Sequence, residues 1–297
     1  MKHALSALAA AAACAFSSPG LDRAGAQTRP TQQVYVSVAD SKGDPVTGLA
    51  ADAFRVREDG NAREVLSAGP ATEPLTLALL VDDSQATTGA TQFIREAVDG
   101  FITALAGTAE MSVVTFGERP TIVVDYTKDQ KRLLDGAKRI FPRAGAGAYL
   151  MEAIAEVSRG LQKRNAARPV IVVLMMDNSV EFSNRHYEQV LNELEAGGAA
   201  LHVVSLGQPG GSLADEIRNR DQVVAMGTER TGGRRDNVLA LTGAAGKMKQ
   251  VAEDLKNQYV VTYARPERLI PPEKIEVTAA KAGLTVRART RAPKAPK

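Results

Sequence analysis

The sequence predicts a doubly wound α/β fold, with a mostly parallel sheet and helices on both faces, beside a small antiparallel β module. Three observations favour this class. Continuous apolar runs recur along the middle of the chain, as in strands buried on both faces of a parallel sheet. Helical stretches separate these runs, and shorter β-rich segments lie towards both ends. The 297 residues suffice for one large core or two smaller ones.

The composition is that of an ordinary globular protein, with 44% hydrophobic and 24% charged residues and a formal net charge of +3. Aromatic residues make up only 4% and there is no Trp, so a protein that stacks nucleic-acid bases on aromatic rings is not favoured. The net charge is also too small for a dedicated phosphate-backbone binder. We therefore expect no nucleic-acid partner.

Residues 1–26 are predicted to be a signal peptide, because a basic start precedes a short apolar run at 4–16 and a small-residue cleavage site. Neither this run nor any later stretch reaches the roughly 20 residues of a membrane span. The single cysteine, Cys14, could carry the lipid of a lipoprotein, but Ala11 stands where such signals usually have Leu. Cleavage after Ala26, giving an exported periplasmic or secreted protein without cysteine, is favoured.

Residues 27–73 are predicted to form an N-terminal β module. Asp59-Gly60 is a strong hairpin signal, because both residue types tolerate the positive φ of a tight turn. The predicted strands are 34–38, 54–58 and a return strand at 62–67.

Residues 74–257 are predicted to form the α/β domain. The segment 121–126 follows the preceding run too closely for a crossover, which predicts an antiparallel edge strand. The apolar runs are 75–81, 111–116, 170–176 and 201–206. The predicted helices are 92–106, 128–140, 150–163, 187–196 and 248–256.

Residues 258–291 return to β texture and are expected to pair with the N-terminal strands. Ala282-Gly283 is a plausible turn between the last two strands, and residues 292–297 (APKAPK) are predicted to be a disordered tail. The predicted strands are 259–263, 274–279 and 284–289.

Polar residues follow two of the apolar runs, where an open α/β sheet places its functional site. Residues 79–84 (LLVDDS) resemble the first signature of the von Willebrand factor type A domain, Asp-x-Ser-x-Ser at the end of the first strand. A Thr before a later helix and an Asp after the fourth strand complete that family's metal-ion-dependent adhesion site. The resemblance implies a doubly wound domain that binds other proteins.

The chain is also similar, over nearly all of its length after the signal, to a secreted bacterial group called VWFA-related and named for acidobacteria. No single segment is specific, but the combination is. The matching segments are 40–49, 52–60, 231–234, 255–263 and 283–289.

The metal site departs from the family pattern. Asp82 and Ser84 stand at the first carboxylate and hydroxyl, and Asp177 keeps the last carboxylate, but Ala86 replaces the second Ser and Ala148 replaces the Thr. Mg²⁺ prefers near-octahedral oxygen ligands, which methyl groups do not supply. We therefore expect a vestigial site without a cofactor, and Mg²⁺ or Mn²⁺ at a rebuilt site is the alternative.

The favoured function is a non-enzymatic binding module that engages a protein or peptide through the rim at the carboxyl ends of the strands. The alternative is a Mg- or Mn-dependent adhesion protein, and a hydrolase using Ser84 is less favoured because no Gly-x-Ser-x-Gly elbow is present. The predicted rim comprises residues 82–88, 145–149, 177–181 and 207–212.

Two histidines and an arginine-rich stretch remain. His202, inside a β run, is expected in the core, and His186, near a helix start, is expected to be solvated. The arginines between 218 and 235 are interpreted as a solvated loop over the sheet, with a patch for an acidic partner as the alternative.

Overall fold

The computed structural model describes residues 30–208, 214–265 and 271–292. The predicted signal peptide, Cys14 and residues 293–297 of the predicted tail lie outside the described residues. The described chain has thirteen strands: β1 Thr31–Ala39, β2 Phe54–Glu58, β3 Asn61–Arg63, β4 Val65–Pro70, β5 Leu75–Val81, β6 Ala109–Thr115, β7 Thr121–Thr127, β8 Arg168–Met176, β9 Ala200–Leu206, β10 Arg235–Val238, β11 Tyr259–Ala264, β12 Ile275–Ala279 and β13 Thr285–Ala288.

Its six α-helices are α1 Thr91–Ala104, α2 Gln130–Ala137, α3 Leu150–Lys163, α4 Tyr187–Gly197, α5 Asp215–Thr231 and α6 Ala244–Lys256. Within these described stretches, no helix combines the length and the apolar character needed to cross a bilayer.

Six strands form the central sheet, in the order β10-β9-β8-β5-β6-β7. The neighbours from β10 to β6 run parallel. Strand β7 pairs with β6 in the antiparallel sense at the edge, which confirms the predicted edge strand. The short link between β6 and β7 leaves no room for the crossover that a parallel pair would need.

Helices cover both faces of this sheet, which confirms the predicted class. Strand β5 shows why its apolar run is continuous, since all seven of its residues are buried. Leu75, Leu77 and Leu79 pack in the layer with α1, α2 and α6, and Ala78 and Leu80 pack in the layer with α3, α4 and α5. Burying each such leucine stabilises the fold by about 1.5–3 kcal/mol.

Strands from the two ends of the chain pair with each other, as expected, but they form two antiparallel sheets. The larger has the order β13-β1-β11-β4 and the smaller β12-β2-β3. The single return strand predicted at 62–67 is wrong, because the chain leaves the smaller sheet at Arg63 and enters the larger one at Val65. We call these two sheets together the β module.

The turn predicted at Asp59-Gly60 is confirmed. Glu58 of β2 lies opposite Asn61 of β3, and the φ angles of Asp59 and Gly60 are 49° and 78°. Two positive φ angles are what a two-residue type I′ hairpin requires. The other predicted turn, at 282–283, connects β12 to β13, which lie in different sheets.

The interpretation of the arginine-rich stretch as a solvated loop is wrong. Residues 215–231 form helix α5, and residues 235–238 form the edge strand β10. Arg220 is only 3% exposed, and Arg234 makes ion pairs with Asp236 and with Asp254 of α6. Most of the sequence between the last predicted run and α6 is therefore regular structure.

The β module lies against the amino-terminal edge of the central sheet, held by close backbone contact and by charge. A Cβ on Gly232, which follows α5 with a φ of 75°, would lie 2.4 Å from the carbonyl carbon of Ala288, the last residue of β13. The Asp254 carboxylate accepts hydrogen bonds from Arg234 at 3.1 Å and from Arg287 of β13 at 2.6 Å. The β module therefore does not cover the carboxyl edge of the central sheet.

Candidate functional site

The predicted site residues lie at the carboxyl edge of the central sheet. The backbone N–H of Asp82 donates to the Leu174 carbonyl of β8, and that of Asp177 donates to the Leu206 carbonyl of β9, both at 2.9 Å. These bonds continue the strand pairing by one residue beyond β5 and β8. Both carboxylates are therefore placed by the sheet itself.

The Asp82 carboxylate is buried, with the residue 1% exposed, and its oxygens accept three hydrogen bonds. Oδ1 accepts from the backbone N–H of Ser84 at 2.9 Å. Oδ2 accepts from the backbone N–H of Met176 at 3.0 Å and from the hydroxyl of Ser179. Donors of the chain itself therefore already occupy both oxygens of this carboxylate.

Ser84 and Ser179 lie side by side, with their Oγ atoms 3.2 Å apart and each residue 1% exposed. The Ser84 backbone carbonyl accepts a hydrogen bond from the Thr87 hydroxyl at 2.8 Å. The role of Ser179 was not foreseen, although its place two residues after Asp177 at a strand end was a usable signal. Its hydroxyl bonds to both Asp82 and Ser84.

The two alanines that replace hydroxyl residues are integrated into the packing. The Ala148 N–H donates to the Val180 carbonyl at 2.7 Å, and its carbonyl accepts from the Phe182 N–H at 2.8 Å. Ala148 is 1% exposed, and Ala86 packs against the layer of α1, α2 and α6. Both positions present methyl groups.

These residues do not fit a directly coordinated divalent cation. Hard cations need several oxygen ligands, and the Asp82 and Ser84 oxygens already have protein partners. Asp177 is partly exposed, and its carboxylate bonds to no other described residue. Across the described residues, no three His, Cys, Asp or Glu side chains are grouped to hold a metal ion.

A partly buried ion pair next to the site was not predicted from the sequence. Asp83, 3% exposed, accepts from the Gly117 N–H at 2.6 Å and from Arg143 Nε at 2.7 Å. Arg143 also contacts Glu118 at 3.1 Å, and its own N–H donates to the Asp83 carbonyl. The pair ties the loop before α3 to the end of β5.

Gly117 is required at this point. A Cβ there would lie 2.6 Å from the Asp83 Oδ1 atom and 2.9 Å from its carbonyl carbon.

Of the predicted rim segment 207–212, the structure describes residues 207 and 208, and residues 209–212 lie outside the described residues. Apolar side chains are exposed in the segment 177–181 and directly after it: Val180 is 54% exposed and Phe182, one residue beyond the predicted rim, is 51% exposed. The Phe182 ring makes an edge contact with Tyr149, at 6.2 Å between centroids. The two histidines lie as expected, with His202 0% exposed and the His186 side chain 55% exposed.

Glu181 is a buried carboxyl at the rim, 2% exposed. Its Oε1 accepts from the Ser183 N–H at 3.3 Å, and its Oε2 has no hydrogen-bond partner among the residues described. Burial raises the pKa of Glu181 from 4.5 to about 7. The charged form is therefore disfavoured in the folded protein.

We expect the substitution Glu181→Gln to stabilise the protein at about pH 8. The raised pKa means that the folded state binds the proton more tightly than the unfolded state. The stability that the protonated Glu181 contributes is therefore fully present below pH 4.5 and is lost as the pH rises to about 7. This loss amounts to about 3 kcal/mol. In urea unfolding across this window, the stability of Glu181→Gln should rise with pH relative to that of wild type. The exposed Glu188→Gln is the control, and equal slopes for all three proteins would contradict the prediction.

Comparison with known proteins identifies the domain. Residues 77–180 match the family profile described as von Willebrand factor type A domain. No curated protein sequence matches the chain significantly. Among solved structures, proximal thread matrix protein 1 from the mussel byssus is similar with a TM-score of 0.51 at 11% identity. The match covers 67% of this chain and 50% of that protein, so this chain spans about half its length.

Two further structures are similar at TM-scores below 0.5. The von Willebrand factor type A protein from Catenulispora acidiphila has a TM-score of 0.49 and 10% identity, covering 90% of this chain and 74% of that one. The manganese-loaded TRAP protein of Plasmodium vivax has a TM-score of 0.46 and 14% identity, covering 76% and 98%. The profile match confirms the resemblance of this part of the sequence to the von Willebrand factor type A domain, over residues 77–180.

Proposed function

We propose that the chain is an exported, non-enzymatic binding module that engages a protein or peptide through its rim, defined as the described residues 82–88, 145–149 and 177–182. In this proposal Asp82, Ser84 and Asp177 are vestiges of a metal site, and recognition needs no divalent cation. The hydrogen bonds that already occupy Asp82 and Ser84 support the metal-free form.

The observation that carries the proposal is the exposure of apolar side chains at the carboxyl edge of the sheet. Among the residues described, six large apolar side chains are exposed, and four of them follow the strands or helices that end at this edge. These are Phe141, Val180, Phe182 and Leu239, each more than half exposed. Val180 and Phe182 lie together within the rim, and neighbouring exposed apolar side chains are typical of interaction sites.

The geometry around Ser84 supports a non-enzymatic function. Its hydroxyl is buried, and its partner among the described residues is the Ser179 hydroxyl rather than a histidine. A serine nucleophile needs a general base within hydrogen-bond reach. Neither His186, exposed near α4, nor His202, buried in β9, contacts it.

The experiment compares immobilised wild-type protein with two matched variants in an extract of the source cells. Phe182→Asp places a charge on the rim, and Leu66→Asp places one on an exposed side chain of β4, 41% exposed. We expect wild type and Leu66→Asp to capture the same partner protein and Phe182→Asp to fail to capture it. EDTA should not change the amount captured. Titration with MgCl₂ or MnCl₂ should release no binding heat.

Two results would contradict the proposal. If EDTA abolishes capture, and if the heat of metal binding to wild type is lost in Asp177→Ala, the metal-dependent alternative is established. Capture that persists in Phe182→Asp but fails in Leu66→Asp would place the binding surface away from the rim.

A further inference from the structure

A groove of about 510 Å³ opens at the rim beside the Asp82 site. Its walls are the segment 177–184, which follows β8, and the first turns of α5, including Glu216, Ile217 and Arg220. Ligand pockets in proteins commonly have volumes of about 300–1,000 Å³. The groove therefore has room for a side chain together with part of the backbone that carries it.

Three carboxylates line this groove without a basic side chain bonded to them. The side-chain carboxylates of Asp177 and of the exposed Glu216 make no hydrogen bond or ion pair with any other residue described. Glu181 is 2% exposed, and its Oε2 is buried without a hydrogen-bond partner in the described chain. An unpaired buried carboxylate is costly to keep charged, which makes Glu181 the strongest sign that a ligand belongs here.

The positive charge at the groove is already compensated. Arg220, 3% exposed, donates to the Ser179 carbonyl at 2.9 Å and to Asp221 at 2.9 and 2.8 Å. The amino terminus of α5 carries a partial positive charge, but Asp215 and Glu216 lie in its first turn. The groove is therefore left with an excess of negative charge.

We propose that this groove binds a cationic side chain, an ammonium or guanidinium group, on an otherwise apolar segment of the partner. Asp177 and Glu216 supply the opposite charge, and the buried Glu181 carboxyl accepts a hydrogen bond from the bound cation. Val180 and Phe182 contact the apolar neighbours. The inference rests on the proposed function and specifies the chemistry of its partner. Arg220 already pairs with Asp221, and the Asp177 and Glu216 carboxylates have no basic partner among the described residues, so the groove attracts cations rather than acidic groups.

The test measures fluorescence anisotropy of a labelled peptide that alternates leucine and lysine, with the same peptide acetylated on its lysines as reference. We expect the lysine peptide to bind at least about tenfold more tightly, with an advantage that falls as salt is added. Glu181→Gln and Asp177→Asn should each weaken binding by about threefold or more. Glu229→Gln, an exposed change near the other end of α5, should leave it unchanged.

Equal affinity for both peptides, or binding to neither, would overturn the inference. Displacement of the lysine peptide by micromolar MnCl₂ would assign the groove to a metal ion instead. If Glu181→Gln or Asp177→Asn lowers the melting temperature, the variant Glu216→Gln at an exposed position replaces it. The same weakening of peptide binding is expected for that variant. Peptide binding and capture of the partner are separate readouts. If a partner is captured through the rim but the peptides bind equally, only the groove inference is overturned. If the lysine peptide is preferred but no partner is captured through the rim, the proposed partner function is overturned.

Discussion

Gly233→Ala is expected to cause the largest loss of stability of any single methyl added to this fold. A Cβ at Gly233 would lie 1.7 Å from the carbonyl oxygen of Leu201 and 2.5 Å from its carbon. Both atoms belong to the backbone of β9 in the central sheet, so they cannot rotate away. We expect the free energy of unfolding to fall by at least about 3 kcal/mol, measured by urea denaturation.

Gly246→Ala is the matched control. Gly246 lies in the exposed part of α6, where an added Cβ meets nothing within 4 Å. Alanine favours the helix over glycine by about 1 kcal/mol, so this variant should be at least as stable as wild type. A Gly233→Ala protein with wild-type stability would contradict the close approach of the chain after α5 to β9.

Acidification to about pH 4 is expected to remove the stability that the buried, neutral His202 contributes to the fold. Burial, followed by the nearby charges of Arg287 and Arg234, lowers the pKa of His202 from 6.5 to about 3. The unfolded state therefore takes up the proton first, and stability present above pH 6.5 is lost as the pH falls towards 3. At about pH 4 this loss amounts to about 3 kcal/mol.

The variant His202→Leu isolates this effect. His202 is 0% exposed, and neither ring nitrogen has a hydrogen-bond partner within the described part of the chain, so leucine removes no such bond. Between about pH 4 and pH 7 the variant should lose less stability than wild type. His186→Leu, at an exposed position, should lose as much as wild type, and a His202→Leu protein with the wild-type slope would contradict the prediction.

Glu181 and His202 act in opposite directions over part of this range. As the pH rises from 4.5 towards 6.5, the Glu181 contribution decreases stability and the His202 contribution increases it. The wild-type curve can therefore be shallow although each group contributes strongly. The two variants are needed to separate them.

Local pattern was sufficient to predict the central strands, because strands buried on both faces must be apolar throughout. The bounds of β5 and α3 agree with the predicted 75–81 and 150–163. Helix α5 escaped prediction because its buried face is not an apolar stripe. It includes Arg220, Gly227 and Thr228 among its buried residues, and a helix is recognised in sequence by the period of its apolar residues.

The site was predicted in position but not in its contacts. Asp82, Ser84 and Asp177 all lie at the carboxyl edge, where strand ends in a parallel sheet meet. The bond from Arg143 to Asp83 spans 60 positions in sequence, and that from Ser179 to Asp82 spans 97. Such pairings arise from the folded arrangement of loops, which short-range patterns do not encode.

The position of the β module separates the ends of the described chain from the exposed apolar side chains of the rim. Its strands β1 and β13 lie at the amino-terminal edge of the central sheet, so the described chain both enters and leaves at that pole. The exposed Val180 and Phe182 lie at the other pole. A support joined at either end of the described chain would therefore lie at the opposite edge of the sheet from these apolar side chains.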